Sequence, residues 1–219
     1  MELILLIFTL GYLFQHAGSI ILIRQIHKRQ SIEGLSLDTQ ISFLIGAVAR
    51  IMWVFDTRLM YFPLIWIELI LSLLSGIYIL YLFHKLKHTQ FSEAYNPFNL
   101  KILLVACLVL SFFFHPGAKN KYYLTIQMLV SLTMFLEASG MLPQIYLMRK
   151  SGTLEVNTGH YIFLLGISRV VRLCFWTMMY WEGEHFLYLI IADLLHTLLL
   201  IDFVWCYFKK QKGNLIILN

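Results

Sequence analysis

Three arginines stand inside apolar stretches of the chain: Arg50, Arg169 and Arg172. A guanidinium at bilayer depth costs several kcal/mol unless it meets a partner or a wet cavity. Acidic residues that could be such partners also interrupt apolar stretches: Glu68, Glu137, Asp193 and Asp202. Either these charges form ion pairs that only fix helix packing, or they form a site for an anion, which guanidinium groups bind well. Three arginines together favour the anion site.

The composition places these charges in a bilayer. Of the 219 residues, 59% are hydrophobic and 13% are charged, and the mean hydropathy is +0.74. This leaves too little polar surface to cover a soluble globule. The three cysteines, Cys107, Cys174 and Cys206, all lie in apolar runs, so they offer neither a disulfide framework nor a metal-ligand spacing. No cofactor and no metal is expected.

Apolar windows of roughly 20 residues predict the helices that must position the charges. They indicate an all-α integral membrane protein with seven spans, near 2–23, 39–56, 60–83, 99–115, 122–148, 160–181 and 185–208. The first is interpreted as a retained span, since no basic region precedes it. The second is interrupted by Arg50 and the fourth is cut off by His115 and Pro116. Neighbouring helices must therefore screen both from lipid.

The distribution of cations predicts the orientation. With seven spans, one side holds three cations, Arg58, Lys119 and Lys121. The other side holds eleven: Arg24, Lys28, Arg29, Lys85, Lys87, Lys101, Arg149, Lys150, Lys209, Lys210 and Lys212. The C-terminus is therefore expected in the cytosol and the N-terminus in the lumen or outside. The net charge of +5 is expected to face anionic lipid, with no nucleic acid as a partner.

Residues 29–46 and 149–166 form a weak internal repeat. Five positions are identical when the two segments are written 120 residues apart, and each segment leads into a span that carries an arginine. Two parallel three-helix repeats around a linking helix require an odd number of spans. The predicted single domain, residues 1–219, is thus repeat one near 2–83, a linking helix near 99–115, repeat two near 122–208 and a tail over 209–219.

Several motifs resemble a known family. The stretches "SIEGLSLDTQISFLIG" and "MLPQIYLMRKSG" resemble the two PQ-loop signatures, and "LEASGMLPQIYLMRKSG", "TGHYIFLLGISR", "YWEG" and "DFVWCYF" resemble the KDEL (ER lumen protein-retaining) receptors. The resemblance implies a receptor of the endoplasmic reticulum and Golgi membranes. Such receptors bind the C-terminal tetrapeptide of an escaped lumenal protein and return that protein. Binding needs no covalent step, so no enzyme is expected.

The resemblance also implies roles for single residues. Arg50 and Arg169 match two binding arginines, Trp176 an aromatic position of the site, Glu137 an acid of the polar network, and Asp202 an aspartate linked to the response after binding. The arginines are expected to face one lumen-facing cavity near Glu137. The predicted peptide-binding set is Arg50, Arg169, Arg172, Trp176, Glu137 and Ser168.

The chain departs from the family pattern at several positions. Ser168 and Arg172 stand where the family has tyrosines, Met179 where it has an arginine, and Gln127 where it has an acid. The first turn carries only Glu2 where the family has an arginine. Arg172 compensates for the lost cation, or the site prefers a different peptide end.

Three further predictions concern pH, trafficking and helix shape. The family's first-helix histidine, which senses mild acidity, falls on Gln15, with His16 one residue later. The tail lysines, Lys209, Lys210 and Lys212, either contact a COPI-type coat or only anchor the last helix. Pro143 is expected to kink the fifth helix, and the Gln144 amide to pair with backbone groups that the kink frees.

Two alternative functions stay open at this point. A PQ-loop transporter would move a small solute through the same bundle, with a proton carried at Glu137. A receptor-like paralogue would bind an altered ligand.

Overall fold

The computed structural model describes most of the chain. The described residues are 2–55, 58–90, 99–115, 126, 128–151, 156–183, 187, 190–198, 200–201 and 205. Within these ranges the secondary structure is helical, without strands. Asp202 and the tail lysines lie outside the described residues, as do Gln127 and Cys206.

Seven α-helices have defined bounds in the described part of the chain. They are α1 Glu2–Arg29, α2 Leu37–Val54, α3 Pro63–Lys85, α4 Leu100–Phe113, α5 Met128–Ser139, α6 Leu142–Ser151 and α7 Val156–Trp181. Residues 190–198 are also helical, and short 3₁₀ helices cover Arg58–Tyr61 and Lys87–Thr89.

Within the described ranges, five helical segments are long and apolar enough to cross a membrane: Leu6–Arg29, Leu37–Val54, Pro63–Lys85, Met128–Leu147 and Gly159–Trp181. The predicted class, an all-helical membrane protein, agrees with this finding. At 14 residues α4 is shorter than a full span, as the break at His115 and Pro116 indicated. The last predicted helix is only partly described. The arrangement of seven spans in two repeats therefore stays a prediction.

Local sequence explains where several helices begin. The Ser36 hydroxyl accepts a hydrogen bond from the Thr39 amide and caps α2. The Asn99 side chain caps α4 in the same way, through the Lys101 amide. Pro63 occupies the first turn of α3, where a missing N–H costs nothing.

The fifth predicted span, 122–148, corresponds to one candidate membrane span, Met128–Leu147, which is divided into two helices. These helices, α5 and α6, meet at Gly140 and Met141. Pro143 explains the break, because its ring cannot pack against the carbonyl four residues earlier, that of Ser139. The predicted role of Gln144 also needs correction. Its amide pairs with the loop after α1, where Nε2 donates to the Gly34 carbonyl (2.8 Å) and Oε1 accepts from the Ser36 amide (2.8 Å).

The described helices pack α1 against α7 and α3, α2 against α3 and α5, and α4 against α5. Two apolar clusters lie at opposite ends of this bundle. The start cluster, where α1 begins, contains Phe8, Tyr12, Trp53, Val54, Ile65 and Leu69. The finish cluster, where α1 ends, includes Leu22, Ile26, Leu82, Phe83, Tyr161 and Ile162. The buried charges lie between them.

Candidate functional site

Glu137 of α5 is the centre of a buried ionic site. Its Oε2 accepts from Nη1 of Arg169 at 2.6 Å and from Nη1 of Arg172. Its Oε1 lies 3.5 Å from Nη1 of Arg50. The three arginines come from α2 and α7 and are at most 1% exposed. One carboxylate therefore joins three cations from two helices.

Arg50 has a second and closer anion in Glu68 of α3. Its Nη2 donates to Glu68 Oε1 at 2.7 Å and to the Ser72 hydroxyl at 2.9 Å. The guanidinium carbon also lies 3.8 Å from the centre of the Tyr12 ring, a cation–π geometry. His16 Nε2 is 3.2 Å from Glu68 Oε1 and 3.0 Å from the Glu68 carbonyl oxygen. Helices α1, α2 and α3 therefore meet at this carboxylate.

Asp193 is the third buried anion, on the helical segment 190–198. Its Oδ1 is 3.5 Å from Nη2 of Arg172 and 4.0 Å from Nη1 of Arg169. Nη2 of Arg172 also points at the sulfur of Met134, a weak acceptor. Both distances to Asp193 exceed the usual range for a hydrogen bond from nitrogen to oxygen. Asp193 is thus held more loosely than the two glutamates.

We call these six residues the central ion cluster: Arg50, Arg169, Arg172, Glu68, Glu137 and Asp193. Three guanidiniums balance three carboxylates, so ion pairing, one of the two alternatives that the sequence left open, is present among the described residues. Desolvating six charges is expensive, and their mutual attraction offsets that cost only while the set stays complete. Removal of a single member should therefore matter more than its individual contacts suggest.

Two glycines face the cluster, and one of them, Gly11, is needed for close approach. A Cβ atom on Gly11 of α1 would lie 2.9 Å from Cγ of Arg172, too close for any side chain. At Gly46 of α2 the same atom would lie 3.6 Å from Cγ of Glu137, an ordinary contact. Gly11 is therefore required for the present position of Arg172, whereas Gly46 leaves room for a methyl group.

Several buried polar atoms at the site have no hydrogen-bond partner among the residues that the structure describes. They are Nε of Arg50 and Arg169, Oε2 of Glu68, Oδ2 of Asp193, Oγ of Ser168 and both ring nitrogens of His196. Buried polar groups are nearly always paired, and exceptions concentrate where water or a ligand binds. The site therefore has donors and acceptors available to a polar ligand.

The structure brings most of the predicted site residues together. The three arginines and Glu137 share one cluster, and Ser168 is buried beside Arg169. Trp176 lies one turn beyond Arg172 on α7, with its ring 4.9 Å from that of Phe175. His16 reaches Glu68, while Gln15 Oε1 lies 3.5 Å from Nη2 of Arg169. Both residues that competed for the histidine position therefore face the cluster.

Sequence reasoning missed His196 and Tyr12. His196 follows Asp193 by three residues, so the two side chains share a helix face, and it is buried. That spacing inside an apolar stretch was the available signal. Tyr12 gave no such signal, because aromatic residues are common in membrane spans, both facing lipid and in the core.

The lumen-facing cavity around the arginines stays a prediction. Among the described residues, the start cluster lies between the arginines and the end of the bundle where α1 begins. Trp53 and Val54 follow Arg50 by one turn, and Phe8 packs on Phe175 with ring centres 5.0 Å apart. A ligand that approaches past these residues must displace apolar side chains.

The fold and the site define a helical membrane protein with a buried ionic centre between two apolar layers. A family model for the ER lumen protein retaining receptor matches residues 31–179. The chain is 30% identical to an ER lumen protein-retaining receptor of Kluyveromyces lactis over 214 residues, 93% of each chain. The receptor of Petunia hybrida is 30% identical over 212 residues, 95% of this chain and 96% of the relative. That of Drosophila melanogaster is 30% identical over 192 residues, 87% of each chain.

The chain therefore belongs to the ER lumen protein-retaining receptor family. The matched range contains Arg50, Glu68 and Glu137 together with both arginines of α7.

Proposed function

We propose that this protein is a sorting receptor for KDEL- or HDEL-like C-terminal tetrapeptides. It binds escaped lumenal proteins in the Golgi and returns them to the endoplasmic reticulum. The observation that carries the proposal is the convergence of Arg50, Arg169 and Arg172 on the single carboxylate of Glu137. Family membership supports the same role.

The chemistry of the ligand fits the cluster. A tetrapeptide of this type presents a terminal carboxylate and acidic side chains, and guanidinium forks bind carboxylates with two parallel hydrogen bonds. In a site without bulk water each such bond is stronger than on the surface. Arg50 and Arg169 are proposed to hold the peptide, with Arg172 as an added cation. Trp176 would pack against the peptide and Ser168 would offer its hydroxyl.

His16 is proposed as the pH-sensitive residue. Protonation would make its imidazole a second cation for Glu68, from 3.2 Å, and so release part of the Arg50 fork to a ligand. The neighbouring charged groups are Glu68 of α3 and Arg50 of α2, which binds the same Glu68 oxygen. His16→Gln should flatten the difference in peptide affinity between mildly acidic and neutral pH. An unchanged difference would place the sensor elsewhere.

The topology and the architecture form part of the proposal. The excess of cations predicts a lumenal N-terminus and a cytosolic C-terminus, so the start cluster would face the lumen and cover the site from there. Arg50 and Arg169, from corresponding spans of the two proposed repeats, share Glu137, which supports seven helices arranged as two parallel repeats around a linking helix. The tail lysines would contact a COPI-type coat, and the basic rim would contact anionic lipid. Asp202 would take part in the response after binding.

The direct test is peptide binding to purified full-length protein in detergent or nanodiscs. Peptides ending in free KDEL or HDEL should bind, and more tightly at mildly acidic pH. The same peptides with an amidated C-terminus are the matched control and should lose binding. Equal binding of free and amidated peptides would contradict carboxylate recognition. Solute flux in reconstituted vesicles without peptide binding would favour the transporter.

A further inference from the structure

Asp193 is the anion of the central ion cluster that a ligand could replace most easily. Glu137 is held by three guanidiniums, and Glu68 by Arg50 at 2.7 Å and by His16. The nearest described cations to Asp193 Oδ1 are 3.5 Å and 4.0 Å away, and Oδ2 has no hydrogen-bond partner among the described residues. The contact of Asp193 is therefore the weakest of the three.

Asp193 also occupies the place on the arginines that an incoming carboxylate would need. It faces Nη2 of Arg172 and Nη1 of Arg169. Among the described residues, the other partner of that Arg172 nitrogen is the weakly accepting sulfur of Met134. A ligand carboxylate that bound here would gain stronger bonds than those it displaced.

The charge balance makes displacement necessary. The cluster already holds three carboxylates against three guanidiniums, so a ligand carboxylate would leave one buried negative charge in excess. An unpaired charge in such a site is costly and is usually neutralised. Around Asp193 stand Arg169 and Arg172 of α7, Glu137 of α5 and His196 of its own segment.

His196 offers the released side chain a new partner. It lies one turn from Asp193 on the same helix and is buried, and neither ring nitrogen has a hydrogen-bond partner in the part of the chain that the structure describes. A protonated Asp193 carboxyl can donate to one of these nitrogens. The proton comes from solvent, and the ligand carboxylate takes over the bond to Arg172.

We infer that Asp193 is an internal counter-anion that stands in for the ligand carboxylate and is displaced when an acidic C-terminus binds. The inference rests on the proposed function. It adds that Asp193 lowers the affinity for the peptide and makes binding selective for a free carboxylate. A ligand without a free carboxylate cannot displace Asp193, so the competition rejects it. Weak attachment of Asp193 keeps the site neutral between binding events.

The test compares three variants of the full-length protein with wild type, using a free-acid KDEL peptide near neutral pH. Asp193→Asn should bind about ten- to a hundredfold more tightly, the scale of one charge-assisted hydrogen bond. Glu68→Gln removes the same charge from a firmly held position. Its gain in peptide affinity should be at least about tenfold smaller than that of Asp193→Asn. Thr197→Val, one turn along, loses only a local bond to the Asp193 carbonyl and should match wild type.

The outcomes separate the two proposals. Wild-type protein that binds no acidic peptide overturns the receptor function itself. Wild-type binding with an Asp193→Asn affinity equal to that of wild type or of Glu68→Gln overturns only the displacement of Asp193. If Asp193→Asn does not fold, infrared difference spectra of wild-type protein labelled with carbon-13 aspartate decide. Peptide binding should convert a labelled carboxylate band into a protonated carboxyl band. Difference spectra that are the same with and without the aspartate label would overturn the inference.

Discussion

Replacing Arg169 with alanine should abolish tight peptide capture. Its Nη1 donates to Glu137 Oε2 at 2.6 Å, and the side chain is fully buried. Without it, two guanidiniums face three carboxylates, so the site would already be negative before an anionic ligand arrives. Truncating one partner of a desolvated charge pair costs about 2–5 kcal/mol of binding, which is a loss of about 30-fold or more. Breaking the buried pair should also lower the unfolding free energy by about 3–5 kcal/mol.

Titration calorimetry with the free-acid tetrapeptide and a thermal melt measure the two effects separately. Arg169→Lys keeps the charge but not the planar fork, so its affinity should fall between those of wild type and alanine. Arg24→Ala removes an exposed cation from α1 and serves as the matched control, with unchanged affinity. A folded Arg169→Ala protein with wild-type affinity would show that this guanidinium does not bind the ligand, and the reasoning would fail.

Three other changes have defined outcomes. Gly11→Ala should weaken peptide binding about tenfold by forcing Arg172 to move, whereas Gly46→Ala should bind like wild type; equal titration curves for the two would contradict the argument from close approach. Gln144→Leu leaves the Ser36 amide unpaired and should lower the free energy of unfolding by about 1–3 kcal/mol, as a thermal melt would show. A peptide titration under conditions where the variant is folded should give the wild-type affinity. Replacing Lys209, Lys210 and Lys212 with serine should trap the protein in the Golgi, as fluorescence microscopy would show. An unchanged distribution would favour the role of these lysines as an anchor of the last helix.

The helix positions could largely be predicted from the sequence, because apolar windows report what faces lipid. The prediction for α3 began three residues before Pro63 and ended two before Lys85. The first helix was expected to end near residue 23 but continues to Arg29. Its last turn carries His27, Lys28 and Arg29, cations that a hydropathy window rejects and that a helix C-terminus favours.

Continuity and exact partners could not be predicted in the same way. A window over 122–148 records hydropathy only. Pro143 predicted a kink there, but not the division into two helices at Gly140 and Met141, where Gly140 packs closely against Ser42. The sequence also identified which charges were buried, but pairing them requires the distances between helices. Glu68 reaches Arg50, 18 residues away, whereas Glu137 reaches it across 87.

The neutral cluster has a consequence for how a receptor of this kind can work. A cavity with three unpaired guanidiniums would bind any anion and would be unstable when empty, since nothing would offset their desolvation. A cavity with three firmly paired guanidiniums would be stable and would bind nothing. Unequal pairing avoids both outcomes, because the bonds to Glu137 and Glu68 hold the helices while the 3.5 Å contact of Asp193 can be exchanged. Selectivity for a free carboxylate then follows from the strength of the contact that the ligand must replace.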